Sequence, residues 1–143
     1  MELSWPATVP SIRPTFLALV VLQVAHSIEE YIGRLWESFP PAMFLTGLVS
    51  ADRETGFIIL NAALILFGIW CVAVPVRLGW AAAPALMWFW VVIQTINGVV
   101  HPMWSAAQHS YTPGVITAPL LLGTALMLAF RLGRRSPSTS TAA

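Results

Sequence analysis

Residues 56–75 read GFIILNAALILFGIWCVAVP, twenty positions with no charged side chain and one amide, Asn61. At about 1.5 Å of rise per residue such a helix covers about 30 Å, the thickness of a bilayer's hydrocarbon core. Three more stretches meet that length: about Pro14 to Gly33, Trp80 to Val100 and Pro113 to Leu132. The first and last open with a proline, whose missing N–H costs nothing in a helix's first turn. Inside a bilayer each backbone group must be satisfied within its own segment, so these runs read as helices. The sequence therefore predicts an all-α, four-helix transmembrane bundle: one domain over residues 1–132, then a disordered Ser/Thr/Pro/Ala tail over 133–143.

Composition agrees. Hydrophobic residues make up 57% of the 143 and charged residues 9%, against about a quarter charged in a soluble domain. The net charge is +1 and all seven basic residues are arginine, which argues against a nucleic-acid partner. Cys71, the single cysteine, reads as a small buried hydrophobe. A leading signal peptide is disfavoured, because Glu2, Arg13 and several prolines precede the apolar stretch and His26, Glu29 and Glu30 follow it. Arg34 to Thr55 contains Pro40-Pro41 and an apolar piece, Ala42 to Val49, too short to span, and reads as interfacial or re-entrant. Arg13, Arg77, Arg131, Arg134 and Arg135 fall on one side of the predicted helices. Arg34 and Arg53 fall on the other, offset by Glu37, Asp52 and Glu54. By the positive-inside rule both termini are cytoplasmic. Trp36, Trp80, Trp104 and Tyr111 fall near helix ends as an aromatic belt would.

The polar residues converge in depth. Counted from the inner end of the first helix, His26 lies roughly 18 Å up and Glu29 and Glu30 roughly 23 Å. On the third helix Gln94, Asn97 and His101 come at roughly 21, 26 and 31 Å, while Asn61 and Thr117 sit about 6–8 Å below the outer ends of the other two. All four helices thus place polar groups in the outer leaflet. His26, Glu29 and Glu30 stand at i, i+3 and i+4, and Asn97 and His101 at i and i+4, each set sharing a helix face. Ionisable groups in hydrocarbon face a bundle interior and mark function, although Glu29, Glu30 and His101 would also be tolerated as solvated helix ends near the headgroups. Tyr111 and Thr117 flank a turn, Thr112-Pro113-Gly114, that leads into the last helix; Gln108 and His109 read as solvated loop residues.

His26-Ser27-Ile28-Glu29-Glu30 matches the run that names the HXXEE family of small bacterial membrane proteins. Asn97-Gly98-Val99-Val100-His101 resembles that family's N-x-x-x-H element, and Tyr111-x-Pro113-Gly114-x-x-Thr117 its Y-x-P-G-x-x-T element. The three occur in the family's order and cover most of the chain. The resemblance implies a shared site in a multi-pass protein of the bacterial cytoplasmic membrane, and implies no activity.

Several chemistries suit this layer. His26, His101 and Glu30 or Glu29 would make the His₂–carboxylate set of a catalytic zinc site, or suit iron or manganese. The remaining glutamate would act as general base or orient a ligand histidine. Tyr111 is a candidate catalytic donor, and Asn61, Gln94, Asn97 and Thr117 are candidates to contact substrate or support the ligands. The expected substrate is a hydrophobic small molecule, lipid-like or isoprenoid-like. A metal-free alternative has Glu29 and Glu30 share a proton and run isomerisation, cyclisation or epoxide opening. A non-enzymatic alternative has His26 and His101 ligate a haem, although their predicted depths differ by about 13 Å. A proton or ion relay is disfavoured, since the inner half holds almost no polar group to continue it. The sequence leaves the oligomeric state open.

Overall fold

A computed structural model describes residues 12–134. Among them are six helices and no strand: α1 (Ile12–Ile32), α2 (Leu35–Ser38), α3 (Pro40–Val49), α4 (Arg53–Cys71), α5 (Ala83–Gln108) and α6 (Ala118–Gly133). A π turn, Val72–Val76, prolongs α4 around Pro75. Three helices are long and apolar enough to cross a membrane: α1, Arg53–Val76 and α5. Arg135 and the tail from 135 on lie outside the described residues.

Local chemistry sets the boundaries. Arg34 takes a left-handed conformation (φ 52°) and stops α1. Phe39 is extended, as the residue before a proline prefers, and divides α2 from α3, which opens on Pro40-Pro41. Asp52 caps α4, its side chain accepting from the Thr55 N–H at 3.1 Å. The second span therefore starts three residues before the expected Gly56.

Two other expected boundaries are corrected. The third helix runs to Gln108 instead of ending near Val100, straight through Pro102. A proline forfeits one hydrogen bond there, which a long helix packed along its length tolerates. Trp104 and Gln108 are consequently helical. The last helix starts at Ala118 instead of Pro113, with Pro119 in its first turn. Gly114, at φ +93°, turns the chain off any helical path in between. At its far end α6 includes Gly133, the first residue of the expected tail.

The core has two parts. Phe16 and Leu19 of α1, Met87 and Trp90 of α5, and Leu121 and Leu128 of α6 are buried together towards the start of α1. At the other end Leu35, Trp36 and Phe57 pack together, so Trp36 is a core residue rather than a member of an aromatic belt. α5 packs most extensively on α6. Gly98 makes that approach possible, since a Cβ there would come within 2.5 Å of Leu122 Cβ. The outward faces stay apolar, with Val21, Leu66, Val92 and Phe130 all more than half exposed.

Candidate metal centre

Gln23, His26, Ser27 and Glu30 of α1 stand at i, i+3, i+4 and i+7 and are all buried. They continue the stripe begun by Ile12, Phe16 and Leu19. The face that α1 turns inward thus changes, about halfway along, from hydrocarbon to hydrogen-bonding groups.

His26 of α1 meets His101 of α5 edge to face, ring centroids 4.8 Å apart. Glu30 Oε1 lies 3.3 Å from His26 Nε2 and 3.2 Å from His101 Nε2. The three residues offer ligand atoms all within 4.8 Å of one another. Two atoms held tetrahedrally at about 2.0–2.1 Å from one cation stand about 3.3 Å apart, so both Glu30–histidine spacings fit a bound divalent ion.

The outer ring nitrogens fix the protons. His101 Nδ1 is 2.7 Å from the Pro113 carbonyl oxygen. A carbonyl only accepts, so Nδ1 carries the hydrogen and Nε2 of the neutral ring holds a lone pair. For His26 the argument takes one more step. Its Nδ1 is 2.7 Å from Thr117 Oγ1, which is itself 2.6 Å from Glu29 Oε2. An ionised carboxylate only accepts, so the threonine hydroxyl donates to Glu29 and receives from His26 Nδ1. When neutral, both imidazoles therefore turn bare Nε2 atoms towards the Glu30 carboxylate, 3.3 and 3.2 Å away. Three acceptors facing one another in a buried space require a cation or an added proton between them.

Glu29 is held apart from this set. Its carboxylate accepts from Tyr111 Oη (3.1 Å), Ile116 N (3.0 Å), Thr117 N (2.9 Å) and Thr117 Oγ1. These bonds strap the 109–117 turn onto α1. Burial, and then the bond to Glu29, push the Tyr111 hydroxyl above its usual range, so it stays a protonated donor. Gly114 roofs the site: a Cβ there would lie 2.5 Å from His101 Nδ1 and 2.9 Å from His26 Cε1. A family described as proteins of unknown function with an HXXEE motif matches residues 17–129. The chain belongs to the HXXEE family. No curated protein and no solved structure matches it.

In this HXXEE protein the three sequence elements meet at one place. His26 and Glu30 offer two candidate ligand atoms, His101 offers the third, and Glu29 forms the strap. Pro113 and Gly114 serve the site as well as the turn, through the carbonyl that receives His101 and the missing side chain that clears both rings. The expected 13 Å depth mismatch is not found. Moving the helix starts to Ile12 and Ala83 removes about 7.5 Å of it at 1.5 Å per residue. The remainder, about one helical turn, is a relative displacement of the helices that counting from a common plane ignores.

Asn61, Gln94 and Asn97 form a neighbouring ladder instead of touching the ligand atoms. Asn97 donates to Gln94 Oε1 (3.3 Å), Gln94 to Gln23 Oε1 (2.5 Å), Gln23 to Ser27 Oγ (2.9 Å) and Ser27 to Asn61 Oδ1 (2.6 Å). The chain of bonds ties α5 through α1 to α4. Gln23 and Ser27 were not singled out from the sequence, although Gln23, at i−3, is a face neighbour of His26 and Ser27, at i+4 from Gln23, a face neighbour of Gln23. A cavity of about 320 Å³ lies beside the turn, lined in part by Ser38, Trp104, Ser110, Tyr111, Thr112 and Pro113. Thr112 Oγ1 is buried without a hydrogen-bond partner. Phe39 lies between this cavity's Trp104 and His101, with ring centroids 5.5 and 5.7 Å away. His109 is the left-handed cap of α5 and lies outside the cluster.

Proposed function

We propose that this HXXEE protein is a metal-dependent, membrane-embedded enzyme, a hydrolase acting on a hydrophobic small molecule of lipid or isoprenoid type. The observation that carries the reading is the pair of histidines whose Nδ1 atoms are held by the Pro113 carbonyl and by Thr117–Glu29 while both Nε2 atoms face Glu30 Oε1 at 3.2–3.3 Å. His26, His101 and Glu30 would hold a divalent ion, zinc by the ligand set, with iron or manganese also suited. Such an ion supplies Lewis acidity and an activated water when bound. The chain's own residues supply the rest. Thr117 and the Pro113 carbonyl orient the two imidazoles. Glu29, occupied by four donors, is a positioning residue, which leaves Glu30 as the carboxylate that faces the two histidines. Tyr111 and Thr112 line the adjoining cavity, where the exposed Tyr111 hydroxyl is placed to hold a substrate's polar group.

The proposed setting is a four-helix transmembrane bundle in the bacterial cytoplasmic membrane, with both termini inside and the centre towards the outer leaflet. Its support is the apolar outward surface, together with Arg13, Arg77, Arg131 and Arg134 gathered at the end remote from Glu37, Asp52 and Glu54. A metal-free acid–base centre draws on the same 3.2–3.3 Å contacts if an imidazole gains a second proton. It gains nothing from the glutamate pair, whose carboxylates are engaged with different partners. Haem ligation is disfavoured because Glu30 stands between the two Nε2 atoms.

Elemental analysis and absorption spectra of detergent-purified, chelator-free protein test the proposal. About one equivalent of metal per chain is expected, lost in His26→Ala, Glu30→Ala and His101→Ala while each variant still inserts. Metal-free parent protein, or variants that keep their metal, would overturn it.

A further inference from the structure

Among the described residues, the end of the molecule remote from the candidate metal centre carries arginines and no acidic side chain. All five acidic residues among those described, Glu29, Glu30, Glu37, Asp52 and Glu54, lie at the other end. At this end are Arg13 in the first turn of α1, Arg77 just past the π turn, and Arg131 and Arg134 at the close of α6. Arg131 is engaged by Thr15, and Arg134 lies over the Phe130 ring. Among the described residues the arginine ion pair is Arg34–Glu37, so Arg13 and Arg77 have no acidic partner there.

Arg13 and Arg77 border one cavity of about 420 Å³. Its remaining walls include Leu17 on α1 and Val72, Ala73 and Val76 on the π turn. The groove has a physical origin. Pro75 removes a backbone donor, the chain widens into a π turn to pass it, and the small Ala73 leaves that wall shallow. An apolar trough capped by two guanidinium groups is complementary to a ligand with a hydrocarbon tail and an anionic head. Guanidinium pairs with phosphate oxygens in a bidentate fork, and basic pockets between cytoplasmic helix ends are where anionic lipid headgroups bind.

We propose that this groove is a binding site for one anionic phospholipid, its phosphodiester held between Arg13 and Arg77 and an acyl chain laid along Leu17, Val72, Ala73 and Val76. The proposal rests on the membrane reading and is independent of the metal. The commitment is to a lipid rather than free phosphate, because the apolar walls have nothing to offer an inorganic ion.

The test is native mass spectrometry of the full chain released from nanodiscs holding equal phosphatidylglycerol and phosphatidylcholine. The parent is expected to retain one phosphatidylglycerol in preference to phosphatidylcholine by about tenfold or more. The double variant Arg13→Gln/Arg77→Gln should lose that preference and keep its metal. Leu17→Trp, which fills the trough and leaves every charge in place, should also lose the retained lipid. Arg53→Gln, at the opposite end, should change nothing. Equal retention of the two lipids by the parent would overturn the site, as would a preference that survives both groove variants. A lipid-free dimer would make a second copy the occupant and overturn it too. Alkaline extraction of the parent from membranes separates the failures: a protein that washes off refutes the membrane reading, and one that stays refutes only the groove.

Discussion

Thr117 holds one hydroxyl hydrogen between two neighbours, and where that hydrogen goes decides the chemistry of His26. With Glu29 Oε2 at 2.6 Å it goes to the carboxylate, and His26 must then donate from Nδ1. Thr117→Val removes the acceptor and frees the ring to rotate or to take the other tautomer. Metal affinity, read by chelator competition, should fall about 10- to 100-fold, the usual cost of losing a partner behind a ligand histidine. Thr117→Ser keeps the hydroxyl and should bind close to parent. A valine variant that binds as tightly as parent would show that the relay orients nothing. At this scale much of the site was legible, because His26 and Glu30 are 40° apart around the helix and His26 and Glu29 60° apart on the other side. Choosing between the glutamates was not. That choice depends on Thr117 and Tyr111, more than 80 positions away in the chain.

At the scale of elements, helix ends were where sequence reading failed, and each failure has a local cause. Bilayer length suggested an end near Val100, yet α5 continues through Pro102 because its packing outweighs one missing hydrogen bond. Pro113 suggested a start, yet its carbonyl is held by His101 and the helix begins five residues later. Asp52 gave a signal that was passed over: an acidic residue just ahead of an apolar run is a helix start. Its hydrogen bonds from the Thr55 side chain and N–H hold its carboxyl below the usual range. A depressed carboxylate contributes stability that is present above its unfolded pKa, about 3.9, and lost as pH falls through the folded value. Protection of the Thr55 amide from hydrogen exchange should therefore be constant near neutrality and decline below about pH 4. Asp52→Asn, which caps without titrating, should remove the decline, and Asp52→Ala should lower protection at every pH. A decline that persists in Asp52→Asn would assign it to another group.

Across the whole molecule the two halves are held by different means. Towards the start of α1, Phe16, Trp90 and Leu128 close an apolar core; towards its end α1 brings hydrogen-bonding groups against α4, α5 and the 109–117 turn. Three of the four expected spans were legible because a hydrocarbon thickness fixes run length, whereas α6, with 16 residues, falls short of that length. The ladder through Gln23 and Ser27 was not, since pairing across helices depends on rotation about each axis. A bound ion would join α1 to α5 through His26, Glu30 and His101, adding a crosslink absent from the unfolded chain. Ligand linkage then raises stability by about 2.7 kcal/mol when free metal is a hundredfold above its dissociation constant. Zinc should accordingly raise the unfolding temperature of the parent, and a chelator should reverse the gain. His26→Ala and His101→Ala each remove one end of the crosslink and should abolish the shift. His109→Ala, altering an exposed histidine beyond the end of α5, should leave it intact. Zinc stabilisation that survives His101→Ala but disappears in His109→Ala would place the ion on the surface and disconnect it from the motif.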